Sequence, residues 1–385
     1  MLKRCIPYLL LALIFSCAPK ETVKKDDEGK KPEIEHSECK KSFNIGYEYY
    51  KLKMYGDAIR NFEEALECST TYVDSYLMLG KAYIETQQYG LSEETYNRLI
   101  ENVPGTILGY TGLAWLYVKM KRYGEAIGAY EKAITIDSTD ATIYHGLGFV
   151  YEEMKDFFKA ESLYEKAYAK DPKSQAIAYA LGKVYLENKK SNEAVTLLEK
   201  LAAEFPEDRE VALSLGDAHF DCKNYSKALD KYLLIKSDLS EFATIYIKIG
   251  KCYEELRQYS NAAANFDTAI EKSDNKIIPY YHVINMYLVK IKNYGKAQSY
   301  ITRAFSVAPG DAGLNCMNGD VYLGYGDGAR TSKKYKTAIS HYETGRAWYG
   351  KATGNPQWGT YANNGIKRAN AKIKNTQQQL WYGDE

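Results

Sequence analysis

The feature that most restricts this chain is a small residue that returns every 34 positions. Gly46, Gly80, Ala114, Gly148, Gly182, Gly216 and Gly250 keep that interval without a slip. A period of this size corresponds to one supersecondary unit, which cannot bury its own apolar face, so successive copies must stack. Around Gly148 the unit runs from Ala141 to Ser174, ATIYHGLGFVYEEMKDFFKAESLYEKAYAKDPKS, with Tyr144, Leu147, Tyr151, Ala160, Tyr164, Ala167 and Pro172 at marked places. That spacing serves two antiparallel helices, A and B, joined by a tight turn. Gly148 and Ala160 are small where the pair crosses most closely, because larger side chains would hold the axes apart. Tyr151 and Tyr164 are expected to fill the space beside the crossing.

An aromatic residue follows at the turn end of the units, as Tyr55, Tyr89, Tyr123, Phe157, Tyr225, Tyr259, Tyr294 and Tyr335. The residue behind it is Gly56, Gly90, Gly124, Asn192, Ser226, Ser260 or Gly295, each suited to capping the start of helix B. Pro104, Pro172, Pro206 and Pro309 close helix B and begin the link to the next unit. In these residues the chain resembles the tetratricopeptide repeat family, whose W-x2-L-G-x2-Y…A-x3-F…P signature has this period.

The resemblance implies an all-α fold: an α-solenoid, a right-handed superhelix of helix-turn-helix units over residues 39–352. About nine units are expected, seven of them in strict register. The eighth carries Asn285, Leu288 and Ile301 at marked positions and is displaced by one residue. In the ninth, Gly319 and Tyr322 are followed by an insertion around GYGDGARTSKK, read as a loop, before Tyr335, Ala338 and Tyr342 restore the pattern. Residues 353–385 are expected to hold a C-terminal capping helix, because an array otherwise exposes core at its end. Ile366, Ala369, Ile373 and Leu380 share one face of that helix, opposite Lys367, Lys372 and Lys374.

The start of the chain has another character. Residues 1–16 form a lipoprotein signal peptide, with Lys3 and Arg4 before an apolar run from Ile6 to Phe15 that is too short to span a bilayer. Ile14-Phe15-Ser16-Cys17 resembles the bacterial lipobox, which implies cleavage before Cys17 and lipidation of its sulfur. Ala18, by the same resemblance, points to the outer membrane, so the expected location is the bacterial cell envelope, lipid-anchored and facing the periplasm. Residues 17–38 are dense in both charges and poor in apolar side chains, as befits a disordered tether. Cys39 and Cys68 lie at equal distance on either side of the turn near Lys53 and Met54, so in an oxidising compartment they are expected to form a disulfide.

Composition excludes some functions. Fifty-one Lys plus Arg against 50 Asp plus Glu leave no electrostatic footprint for nucleic acid. His36, His145, His219, His282 and His341 show no metal-ligand spacing, and neither a P-loop nor G-x-S-x-G is present. No catalytic residue, metal or cofactor is expected. The 37 tyrosines are largely absorbed by the repeat.

Binding is the function that remains. The resemblance places groove residues three before, one after and four after the small residue of each A helix. These are Phe43, Tyr47, Tyr50, Leu77, Lys81, Ile84, Trp115, His145, Phe149, Glu152, Tyr179 and Lys183, continuing to Leu186, Leu213, Phe220, Lys251 and Glu254. Members that grip a C-terminal carboxylate present Lys and Asn on the first A helix, where this chain has Phe43 and Tyr47. The expected partners are therefore apolar or aromatic segments of other proteins, gripped by a scaffold that assists a pilus, secretion or outer-membrane assembly. The alternative is a carbohydrate or peptidoglycan-fragment binder that stacks sugars on Trp115 and the tyrosines.

Overall fold

The computed structural model describes residues 32–274 and 277–382. The expected signal peptide, Cys17 and most of the tether lie outside the described residues. Nine helical hairpins follow one another: α1 (Pro32–Lys51) with α2 (Tyr55–Cys68), α3 (Val73–Glu85) with α4 (Tyr89–Asn102), α5 (Ile107–Lys119) with α6 (Tyr123–Ile136), α7 (Ala141–Glu153) with α8 (Phe157–Lys170), and α9 (Gln175–Glu187) with α10 (Ser191–Glu204). Then come α11 (Arg209–Asp221) with α12 (Tyr225–Leu234), α13 (Ala243–Glu255) with α14 (Tyr259–Lys272), α15 (Ile277–Asn285) with α16 (Tyr294–Phe305), and α17 (Ala312–Thr331) with α18 (Tyr335–Gly350); α19 (Gly359–Tyr382) ends the series. No strand occurs among the described residues. The fold is an all-α solenoid of hairpins, grouped in two compact units that meet in sequence at Pro206 and Glu207. Helix α1 already begins at Pro32, inside the segment expected to be tether.

Most crossings are closed by an aromatic ring from helix B, and the one at Gly182 by the side chain of Leu198. A Cβ placed on Gly148 would lie 2.7 Å from the Tyr164 ring, and the same encounter recurs between Gly46 and Phe62, Gly80 and Tyr96, Gly216 and Tyr232, and Gly250 and Phe266. Tyr164 is buried, whereas Tyr151 is only half-buried, so helix B alone supplies the plug.

The turns repeat as closely as the crossings. Lys53, Gln87, Lys121, Lys155, Lys189, Lys223, Arg257, Lys292 and Lys333 all have φ between 57° and 64°. In the first hairpin the Lys53 N–H donates to the Tyr50 carbonyl and the Met54 N–H to that of Tyr49, both at 2.9 Å, which is a Schellman closure of helix A. Three residues, Leu52 to Met54, make the reversal there, so helix B starts on the aromatic itself. Gly56, Gly90 and Gly124 are consequently not caps; they sit one residue inside the helix with open space around them. The capping side chains are those of Asp156 and Asn293, which accept from the N–H groups of Lys159 and Lys296.

Two irregularities are resolved within helices. In the eighth unit Asn285 is exposed, while Ile284, 34 residues after Gly250, is buried; the additional residue therefore falls in a π-helical stretch from Met286 to Ile291, closed by a 2.8 Å bond from the Asn293 N–H to the Tyr287 carbonyl. The expected loop at GYGDGARTSKK is mostly helix: α17, one helix of 20 residues, runs on to Thr331 and leaves only residues 332–334 as the turn. Gly326, not Gly319, meets the plugging ring, here Tyr342, while Gly319 meets Tyr349 from the same partner helix. The additional seven residues are two helical turns, so both glycines face α18.

Cys39 and Cys68 are joined by a disulfide with Cα atoms 5.4 Å apart. It ties the start of α1 to the end of α2, and the closed loop is worth about 3 kcal/mol. At the other end, the Asn355 side chain accepts from the N–H groups of Gln357 and Trp358 before α19, whose Ala362, Ala369 and Ile373 are buried. Lys372 is not on its outward face, because it reaches Asp327 at 2.6 Å. Among the described residues no helix is long and apolar enough to cross a membrane, and no cluster of His, Cys, Asp and Glu could hold a metal.

Candidate binding groove

The A helices of the first unit enclose a cavity of about 640 Å³. Phe43 and Tyr47 on α1, Leu77 and Lys81 on α3, Trp115 on α5 and Phe149 on α7 line it, so six of the expected groove residues share one site. The walls are aromatic and mutually supported. Phe43 packs edge-on against Tyr72 at 5.3 Å, and the rings of Trp115 and Phe149 are 6.1 Å apart. Lys119 lies over Trp115 with its nitrogen 4.4 Å from the ring centroid. Burial pushes the Lys81 amine down to about 8, opposed by the Asp74 carboxylate two turns earlier on α3.

Other expected groove residues are placed elsewhere. Ile84, His145 and Tyr179 are buried, because adjacent hairpins close over these positions. His145 has its ring 5.5 Å from that of Tyr164, and desolvation lowers it to about 4, so it is a neutral core residue. Tyr50 packs edge-on to Tyr55 and is pushed well above the usual phenol range by burial. Glu152 accepts from the Tyr164 hydroxyl at 2.7 Å and pairs with Lys183 at 3.5 Å, so these two bind one another. Further along, Glu254 is buried, and Lys251 lies over the Phe220 ring at 5.6 Å.

The Glu152 arrangement is the first of a series in which the plugging tyrosine, a carboxylate of helix A and a cation from a later helix meet. Tyr232 donates to Asp217 at 2.6 Å, and Lys248 pairs with the same carboxylate. Tyr342 donates to Asp327 at 2.8 Å, and Lys372 pairs there. Tyr349 and Tyr361 donate to Asp320 at 2.7 and 2.8 Å, and Arg368 pairs with it at 3.1 Å. From α7 onward, positions that could face a ligand are thus used by internal networks. The open apolar cavity belongs to the first four A helices.

Sequence reasoning missed Asp74, Leu108 and Thr142, which line the cavity from α3, α5 and α7. All three lie six residues before the small position, one turn beyond the groove residue three before it. Continuing the helical period by that turn would have found them.

The tetratricopeptide repeat model matches residues 42–69, 73–102 and 243–272, a second TPR repeat model matches 115–155, and a third tetratricopeptide repeat model matches 153–214. No curated protein matches the chain. Among solved structures, YrrB, described as a TPR protein with an unusual peptide-binding site, is 22% identical over 49% of this chain and 98% of its own, with a TM-score of 0.46. PilF of Pseudomonas aeruginosa is 16% identical over 53% and 93%, at 0.45. A tetratricopeptide repeat protein from Parabacteroides merdae is 16% identical over 65% and 99%, at 0.44. With its 34-residue register and the plugged crossings at its small positions, the chain is a tetratricopeptide repeat protein.

Proposed function

We propose that this protein is a non-enzymatic scaffold of the bacterial cell envelope that binds apolar or aromatic segments of partner proteins in the cavity between α1, α3, α5 and α7. The aromatic lining carries this reading: a concave apolar site of this volume with few polar groups suits a short apolar segment. Lys81, Asp74, Thr111 and Thr142 supply polar contacts that would fix its direction. Stacking of sugars has less support, since Lys119 already occupies one face of Trp115. Assistance to a pilus, secretion or outer-membrane complex is the role in which such a scaffold would act.

Trp115→Ala with Phe149→Ala is expected to weaken capture of aromatic-rich peptides from a display library by about 30-fold or more, if each ring contributes as an anchor. Thermal unfolding should change by much less than for a plugging tyrosine, because both rings are only half-buried. A large fall in melting temperature with unchanged capture would refute the site.

The envelope location rests on Cys17 and the apolar run before it. Acyl chains on Cys17 would hold the protein at the membrane, which the charged segment after it cannot do. Cys17→Ser is expected to abolish incorporation of labelled palmitate. Unchanged labelling would show that Cys17 is not the acylated residue.

A further inference from the structure

The residue that turns each hairpin is one that left-handed backbone does not favour. Glycine fits φ near 60° without steric cost, and the chain has 28 glycines, yet none stands at these nine turns. Eight of the nine are Lys or Arg, and all are exposed. A cation after helix A is favoured by the helix dipole, which accounts for isolated lysines. It does not account for the last two turns.

Residues 286–296 carry Lys290, Lys292 and Lys296, residues 328–336 carry Arg330, Lys333, Lys334 and Lys336, and neither segment contains an acid. The turns of the first unit differ in that acids answer their cations: Lys155 sits between Glu153 and Asp156, Lys189 follows Glu187, and at the turn with Lys119 and Lys121 the guanidinium of Arg122 pairs with Glu93 and Glu125. The two basic turns are neighbours within the second unit, since Tyr294 at the first lies against Gly324 and 6.1 Å from Tyr325 on the helix leading to the second. The acids nearest them are engaged, Glu255 by Lys290 at 2.9 Å and Asp327 by Tyr342 and Lys372. Val289, beside these lysines, is 59% exposed.

We propose that this edge of the second unit rests on an anionic lipid surface. Lysines without a cleft or a rigid guanidinium array are point charges that suit a surface of many headgroups rather than one shaped ligand. Val289 adds a shallow apolar contact at the same place. The proposal is independent of the groove and of Cys17.

Because glycine suits the turn, Lys292→Gly and Lys333→Gly together remove charge while keeping or improving the fold. The chain starting at Ala18 retains every described helix and carries no acyl group. It is mixed with vesicles of phosphatidylglycerol and phosphatidylcholine, with vesicles of phosphatidylcholine alone, and with a random oligonucleotide. Binding is expected to the anionic vesicles only and to fall with salt, and the double variant should lose about 25-fold, near fivefold per cation, with an equal or higher melting temperature. Lys155→Gly with Lys189→Gly should leave it unchanged. Equal binding by the double variant, equal binding to neutral vesicles, or tighter binding to the oligonucleotide would overturn the proposal.

Discussion

Gly148→Leu is expected to destabilise the protein by about 3 kcal/mol or more, among the largest effects of any single substitution. A Cβ there already falls 2.7 Å from the Tyr164 ring, and that ring cannot withdraw: it is buried and its hydroxyl is held by Glu152 at 2.7 Å. Because hairpins share interfaces, the loss should spread to the neighbours of α7 and α8. Gly124→Ala is the matched comparison, inside helix α6 with nothing within 4 Å. It should stabilise by about 0.5–1 kcal/mol through helix propensity alone. Urea unfolding of the two variants checks both, and equal midpoints would refute the crossing account.

Asp320→Ala should be the most damaging change near the end of the chain, at about 2–3 kcal/mol. Its carboxylate accepts from Tyr349, Tyr361 and Arg368, so alanine strands three donors at once, two of them on α19. Partial exposure of Asp320 keeps the figure below that of a fully buried pair. The loss should be local. Amide exchange ought to accelerate across α19 and much less in α13 and α14, while Asp320→Asn, which retains an acceptor, should recover part of the protection. Uniform acceleration through the second unit would contradict this division.

What the sequence discloses depends on how tightly each position is constrained. The crossing glycines and their rings were legible because one cannot change without the other, and that coupling imposes the 34-residue register. Gly326 was harder to find because Gly319 and Tyr322 imitate the repeat seven residues earlier, and both glycines face the same partner helix. The caps were misplaced because the Schellman turn uses ordinary lysines, which carry no turn signal of their own. In the cavity, Phe43, Tyr47, Leu77, Lys81, Trp115 and Phe149 stand at positions that the family resemblance assigned to a groove. Ile84, His145 and Tyr179 hold equivalent positions but are covered by adjacent hairpins, and that closure depends on neighbours in space that a single unit does not encode.

The long helix α17 and the π-helical stretch before it also show how such a chain can change length through its history. Seven added residues complete two turns, return every side chain to its former direction, and leave hairpin nine with an ordinary crossing at Gly326. One added residue has no such solution, and hairpin eight retains a widened coil from Met286 to Ile291 as its record. Insertions into a helix of this architecture are therefore governed by its period: sevens are silent, threes and fours come within a fraction of a turn, ones leave a scar, and twos and fives turn the wrong side chains inward. A series of variants with one to seven alanines added after Gly319 would trace that periodicity directly as recovery of stability at seven.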